Sequence, residues 1–409
     1  MMRVLSGVDA WTFVRQRSTV VRNVDEVVLP IIEDVRTRGE EALREHAERL
    51  DGLEGRSLRV AREEIERASA SDEFLSAVQL SAGNVRRFAQ WQLPQEWRKE
   101  VCPGVVAGQI VRPLERIGAY VPGGVYPLPS TLIMTVVPAQ VAGVRDIVLT
   151  SPKPAAETLA TARILGVESL FRVGGAQAIA AMAFGTESVP KVDKIVGPGN
   201  AYVAAAKRLL SGEVAIDSVA GPTEVVIVAD EGDPAWIAAD LLAQAEHDAD
   251  ASAILITQSA SLADSVIEEI CRQVETLPTK KSAQAAMVNS AIIISGSRAE
   301  SLDLVNAISP EHLCLHDPAD LDQVQHAGSV FLGPMSCEAL GDYNTGPNHV
   351  LPTGGFARIK GGLSSADFVK VITLQEVSSE GVQRLGPAAA VLARAEGLEG
   401  HARSIEARL

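Results

Sequence analysis

An apolar stretch with helical spacing ends in Gln244-Ala245-Glu246-His247, where a carboxamide and an imidazole stand three residues apart. A helix turns by about 100° per residue, so both side chains project from one face and could share a metal ion. The same ending also suits a plain helix C-terminus, with His247 against the dipole and Gln244 in water. Three later segments add acids and imidazoles: Pro310-Glu311-His312, Gly341-Asp342-Tyr343, and the stretch from Glu396 to His401. A carboxylate beside an imidazole, as in Glu311-His312, can serve two proton transfers with different pKa requirements, as a two-step metal-assisted oxidation would need. Each segment has a plainer alternative. Glu311 and His312 could sit at a strand edge, Asp342 could be an Asx-turn acceptor between glycines, and Glu396 and His401 could be surface. His349 is expected to hydrogen-bond within the loop after Asp342. His316 and His326 carry no motif, and His46, among Arg44, Glu45, Glu48 and Arg49, reads as solvated surface.

Elements that could position these groups follow from the apolar period. Residues 24–111 show helix spacing in Val24, Val27, Val28, Ile31, Ile32 and Val35, with charges on the other face. From Ile117 onward, β-branched runs alternate with Ala-rich helical runs. Strands are expected at 147–149, 170–173, 194–196, 224–228, 253–256, 292–294, 312–315 and 330–332. Helices are expected at 134–142, 155–165, 178–183, 201–210, 235–245, 262–274 and 299–308. Repeated β-α units with continuous apolar strands indicate an α/β fold with parallel sheets covered on both faces, divided near 217–223 where Ala220-Gly221-Pro222 interrupts the pattern. The chain turns Gly- and Pro-rich after Asp342, then reads as two amphipathic helices, about 365–373 and 380–396. That tail is too small to core itself.

Glycine loops join several of these elements: Tyr120-Val121-Pro122-Gly123-Gly124, Val173-Gly174-Gly175-Ala176-Gln177 and Gly197-Pro198-Gly199-Asn200-Ala201-Tyr202. Such loops let backbone N–H groups approach phosphate at strand carboxyl ends. Tyr202 occupies the place of the third glycine in the dinucleotide fingerprint, so the motif by itself fits turn chemistry equally well.

Composition narrows the function classes. A chain of 409 residues should divide into two or more domains, and 46% hydrophobic with 4% aromatic residues describes an aliphatic core. A net charge of −15 without a Lys/Arg cluster argues against nucleic acid or anionic membrane and for small-molecule chemistry. The start, Met1-Met2-Arg3-Val4, leads into mixed polar residues, and no apolar run of membrane-spanning length follows, so a cytoplasmic protein is expected. Cys102, Cys271, Cys314 and Cys337 are scattered, which suggests buried reduced thiols and neither a disulfide framework nor sulfur-ligated zinc.

Together the segments resemble the histidinol dehydrogenase family. The resemblance is carried by Ile216-Asp217-Ser218-Val219-Ala220-Gly221-Pro222-Thr223-Glu224 running on to Gln244-Ala245-Glu246-His247, by the Tyr120 loop, and by Ser309-Pro310-Glu311-His312-Leu313. Gly341-Asp342-Tyr343, Pro347-Asn348-His349-Val350-Leu351-Pro352-Thr353 and Glu396-Gly397-Leu398 extend it. It implies an NAD-dependent four-electron oxidation of L-histidinol through L-histidinaldehyde to L-histidine, the last step of histidine biosynthesis, with one zinc (Zn2+) per site. By match to the family, Gln244, His247, Asp342 and His401 would ligate zinc. His312 would accept the alcohol proton and Glu311 would activate water. Substrate contacts would come from Thr223, Glu396, His312 and the zinc ligands, and NAD contacts from Tyr120, Gln177 and Asn200.

The family is a homodimer with shared active sites and two incomplete Rossmann-like parallel-sheet domains. Applied to this chain, 1–23 would be a short N-terminal segment, and 24–115 with 221–359 would form the domain carrying the zinc and catalytic residues. Residues 116–220 would bind NAD, and 360–409 would be a helical tail swapped onto the partner. The alternatives are a paralogous zinc- and NAD-dependent dehydrogenase of another small alcohol such as a sulfonated diol, a metallohydrolase with Glu311 as base, and a non-catalytic zinc-binding scaffold. The hydrolase reading lacks a His-Glu-x-x-His helix and leaves the glycine loops unexplained.

Overall fold

The computed structural model describes residues 2–17, 24–123, 127–219 and 221–409, so Gly124, Ala220 and part of the 1–23 segment lie outside the described residues. The chain opens with β1 (Arg3–Ser6), and after a helical stretch come β2 (Trp97–Cys102), β3 (Val105–Pro113) and β4 (Arg116–Tyr120). Helices then alternate with β5 (Asp146–Thr150), β6 (Ser169–Phe171), β7 (Lys194–Val196) and β8 (Ala215–Ile216). A second alternating run holds β9 (Glu224–Val228), β10 (Ser252–Thr257), β11 (Ala291–Ile294), β12 (His312–Leu315) and β13 (Ser329–Leu332), with β14 (Val369–Val377) near the end.

These strands form two parallel sheets, ordered β6-β5-β4-β7-β8 and β1-β11-β10-β9-β12-β13, and one antiparallel sheet, β14-β3-β2. Every residue of β9 and β10 is buried, as continuous apolar runs in a doubly covered parallel sheet require. Ile254 in β10 is fully buried, and trimming it to Ala would cost about 2–5 kcal/mol. Helix starts follow local rules as well. Pro234 opens helix Pro234–Ala245 behind an Asp233 cap, and Ser259 caps Ala260–Val274 by accepting from Leu262 N–H.

The structure redraws three sequence expectations. Residues 24–115 do not join the second parallel sheet: Val28, Ile31, Ile32 and Val35 pack with Tyr120 and Val148 on one face of the first sheet, and Val78, Ala82 and Val85 pack with Ile117 and Leu132 on the other. The N-terminal segment does not stand apart either. Its strand β1 pairs with β11, and Met2 and Ala10 enter the second sheet's core. Finally, 97–113 and 369–377 are strands rather than helix. They pair with each other across some 260 residues of chain (Val369 opposite Pro113), a partnership to which local periodicity is blind. Of the helical tail there remain helices Ser379–Ala395 and Glu399–Glu406, and a single tight turn, Ser365–Phe368, at the start of the expected first helix.

Candidate active site

The acid and imidazole groups converge where β9 and β12 begin. Helix Arg298–Ile308 ends with Ser309 in the left-handed region, and the chain turns through Pro310 and Glu311 into β12, so Glu311 and His312 sit at the mouth of the sheet beside Thr223 and Glu224. Glu311 Oε2 accepts from the Thr223 hydroxyl (2.6 Å) and from Glu224 N–H (2.9 Å). His312 Nδ1 lies 3.2 Å from the Glu224 carbonyl, which fixes that nitrogen as the donor. Its Nε2 is buried, has no hydrogen-bond partner among the described residues, and lies 3.6 Å from Asp342 Oδ1.

Asp342 projects from the short helix Glu338–Tyr343, not from the Gly-flanked turn expected of it. Helix Pro234–Ala245 runs back toward the same end of the sheet, so Gln244 in its last turn and His247 just beyond reach the cluster. Gln244 is 1% exposed and contacts Thr223, while His247 Nε2 stands 3.8 Å from Asp342 Oδ2. His349 hydrogen-bonds the Asp342 carbonyl at 2.9 Å, within its own loop as expected.

Burial and mutual charge set the protonation of these groups. Glu311 is pushed up to about 7 by burial, against the opposing pull of His312 and the bonds from Thr223 and Glu224. Burial would lower His312, but Glu311, Asp342 and Glu338 outweigh it and raise the ring's basicity. Asp342 goes the other way: burial raises it, yet the His312 ring 3.6 Å away, with His349 and His247, brings it below the usual carboxylate range.

The glycine loops meet at the carboxyl ends of the first sheet. The Tyr120 hydroxyl accepts from Gly175 N–H (3.2 Å), and Asn200 caps helix Ala201–Leu210 by accepting from the N–H groups of Tyr202 and Val203. Gln177 is buried, with Nε2 donating to Asp51 (2.9 Å) rather than facing solvent. The remaining expected residues stay away from both places. Glu396 and His401 are exposed on the tail, and their side chains make no hydrogen bond or ion pair among the described residues. No group of three His, Cys, Asp or Glu side chains able to hold a metal occurs among those residues.

Sequence reasoning missed several contributors. Asp51 holds both Gly174 N–H (3.1 Å) and Gln177, and Asp217 holds Gly197 N–H (2.7 Å) while paired with the buried Lys207, whose ammonium donates to the Gly197 carbonyl (3.1 Å). Glu338, 1% exposed, faces Gln244 and is pushed up to about 8 by burial, with His312 opposing. Only Asp217 lay within a quoted motif. His46 is buried against Asp34 (2.9 Å), not solvated, and only Cys314 of the four free cysteines is buried.

A family model described as histidinol dehydrogenase matches residues 14–409. A histidinol dehydrogenase of Geobacillus kaustophilus is 48% identical, with 96% of each chain covered, and one of Geobacter sulfurreducens is 47% identical over 95% of this chain and 94% of its own. The crystal structure of histidinol dehydrogenase from Elizabethkingia anophelis superposes with a TM-score of 0.96 at 38% identity, covering 100% of this chain and 98% of that one. The chain belongs to the histidinol dehydrogenase family and is therefore an oxidoreductase of histidine biosynthesis.

Proposed function

We propose that the chain oxidises L-histidinol to L-histidine in two steps at the β9/β12 mouth, using NAD and one zinc ion in a site completed by a second copy of the chain. The observation that carries this reading is the buried, unpartnered Nε2 of His312, 3.6 Å from Asp342, on a ring whose Nδ1 lies 3.7 Å from Glu311. In the first step the alcohol loses a hydride from carbon, and His312 holds the hydroxyl proton. In the second step Glu311 takes a proton from the water that adds to the aldehyde, and the resulting hydrate anion loses a second hydride to leave the carboxylic acid. NAD would be held along the Tyr120, Gln177 and Asn200 loops and would supply the oxidant for one hydride per molecule, two molecules being used in turn; the first sheet would thus be the nucleotide domain and the second the catalytic one.

The residues present fit a cation. His247 Nδ1 is bonded to the Ala243 carbonyl (2.9 Å), so its Nε2 offers a lone pair toward Asp342 Oδ2, and two acceptors facing each other call for a positive charge between them. Gln244, His247 and Asp342 would hold zinc from one chain and His401 from the other, with Thr223 and the second copy's Glu396 against substrate. Zinc there would fix the substrate and polarise its oxygen. The tail supports the second copy: Leu385, Val391, Leu392 and Leu398 are exposed on it, as a face that packs on a partner would be. No helix among the described residues is long and apolar enough to cross a membrane, which is compatible with a cytoplasmic enzyme.

Following NAD reduction with histidinol and a panel of other small alcohols, with and without a chelator, tests the reading. Histidinol should be the preferred substrate, chelation should abolish turnover, and zinc should restore it. With imidazole and oxygen donors only, Co²⁺ or Mn²⁺ should also support activity. Full turnover in metal-free protein, or preference for another alcohol, would contradict it.

A further inference from the structure

Glu338 is a buried carboxyl that forms no ion pair among the described residues, and it lies against the carboxamide of Gln244, which is equally buried. In one orientation of that amide, its nitrogen donates to both Glu338 oxygens (2.8 and 3.2 Å), while its oxygen accepts from Glu224 N–H (3.0 Å) and lies 2.6 Å from the Thr223 hydroxyl, for whose single proton it competes with Glu311. In the other orientation the nitrogen still reaches Thr223 but faces Glu224 N–H, donor against donor, and the amide oxygen abuts the Glu338 carboxyl. Donor–acceptor complementarity selects the first.

From this geometry we infer that Glu338 is the positioning residue that locks the Gln244 carboxamide with its oxygen toward the catalytic cluster. The inference rests on the proposed assignment of Gln244 as a zinc ligand. Glu338 and Asp342 are four apart on one short helix and project from the same side, so one element would supply a ligand and orient another. Second partners of this kind decide how tightly a ligand oxygen is presented, and losing one costs about 10–100-fold in metal affinity.

The test uses the full-length protein carrying Glu338→Gln, Gln244→Glu, or both. Zinc affinity is read by competition with a chromophoric chelator, and site geometry by the visible absorption of the Co²⁺-loaded protein. Glu338→Gln keeps the size of the side chain and introduces no charge, so folding should survive. It should weaken zinc binding about 10–100-fold and shift the Co²⁺ spectrum. Gln244→Glu alone sets two carboxyls together, and adding Glu338→Gln should restore complementarity with the roles exchanged, raising the melting temperature of the metal-free double variant above that of Gln244→Glu. Wild-type affinity and spectrum in Glu338→Gln, in a wild type whose zinc is lost on His247→Ala, would overturn the inference. Should wild type bind no zinc, the zinc reading falls, and the metal-free thermal cycle still decides: additive changes overturn the Glu338–Gln244 lock and non-additive ones uphold it.

Discussion

In the five-stranded sheet the strand order reverses between β4 and β7, and the loops bearing Tyr120 and Asn200 leave the carboxyl ends of those strands. In the six-stranded sheet the reversal falls between β9 and β12, yet Thr223, Glu224, Glu311 and His312 stand at the amino ends. The crevice at the carboxyl ends of a reversal is the usual ligand position in such sheets. In the second sheet that crevice is filled: Arg298 lies 2.9 Å from Asp230 and 3.6 Å from Asp317 and also pairs with Asp320. The amino ends offer something different. There the Glu224 N–H is free to hold the Glu311 carboxylate, and the Glu224 carbonyl fixes the His312 tautomer. Topology supplies two openings per sheet, and side chains decide which one does chemistry.

If the amino ends of the second sheet hold the acid and base, the largest losses should come from there. His312→Asn should slow histidinol oxidation by about 10²–10⁴-fold, whereas Glu311→Gln should slow histidinaldehyde oxidation far more than its formation. Stopped-flow measurement of each half-reaction separates them. Equal losses in both steps for both variants would dissolve the assignment of roles.

The next effect asks whether one chain completes the site. His247→Ala and His401→Ala should each be nearly inactive. Refolded together at equal amounts, about half the dimers are mixed and each carries one intact site, so activity should return to roughly a quarter of wild type. Demonstrated heterodimers without recovered activity would place His401 in its own chain's site.

A smaller effect is set by pH. Glu311 acts as a base only when ionised, and its pKa is pushed up to about 7. Histidinaldehyde oxidation should therefore level off above that value and fall toward tenfold per unit below it, a limb missing in Glu311→Gln. Stability runs the opposite way. A carboxyl raised from 4.5 on folding contributes stability fully below 4.5 and loses it as pH rises through about 7.

At the first sheet, Asp51→Asn should raise the KM for NAD several-fold with little change in kcat, because a neutral amide can accept from Gly174 N–H or Gln177 but presents less charge to both. An unchanged KM would separate the Gln177 loop from nucleotide binding.

Legibility in the sequence followed the range of the forces involved. Apolar runs such as 224–228 and 253–256 announced their strands because burial on both faces writes itself into consecutive residues. The β2, β3 and β14 strands did not, since their partners are remote in sequence and only the three-stranded sheet explains their pattern. Glu311, His312, Gln244, His247 and Asp342 stood out as chemical types at telling spacings, and the structure gathers them. Asp51 and Glu338 did not, because an acid whose role is to hold one amide or N–H looks like any surface acid until its burial is known. Glu396 and His401 stood out as an acid and an imidazole, but their roles were legible only through family resemblance, and within one chain their exposed positions give no cause to expect them at a site.

The smallest effect on activity should come from the opening the second sheet does not use. Arg298 bridges strand ends that follow β9 and β12, and Asp320, its tightest partner, is 4% exposed. Arg298→Ala would leave that carboxylate buried without its cation, a loss of about 1–3 kcal/mol for a pair still partly reached by water. The amino ends lie a full strand length away, and each strand is gripped by its neighbours along its whole run, so the Glu311–Thr223–Glu224 bonds should persist. Urea unfolding should show the lower midpoint while kcat for histidinol stays within about twofold of wild type, a difference in barrier below about half a kcal/mol. A fall in kcat as large as that of the Glu311 variant, in protein that is fully folded at the assay temperature, would mean that both ends of the second sheet take part in the chemistry.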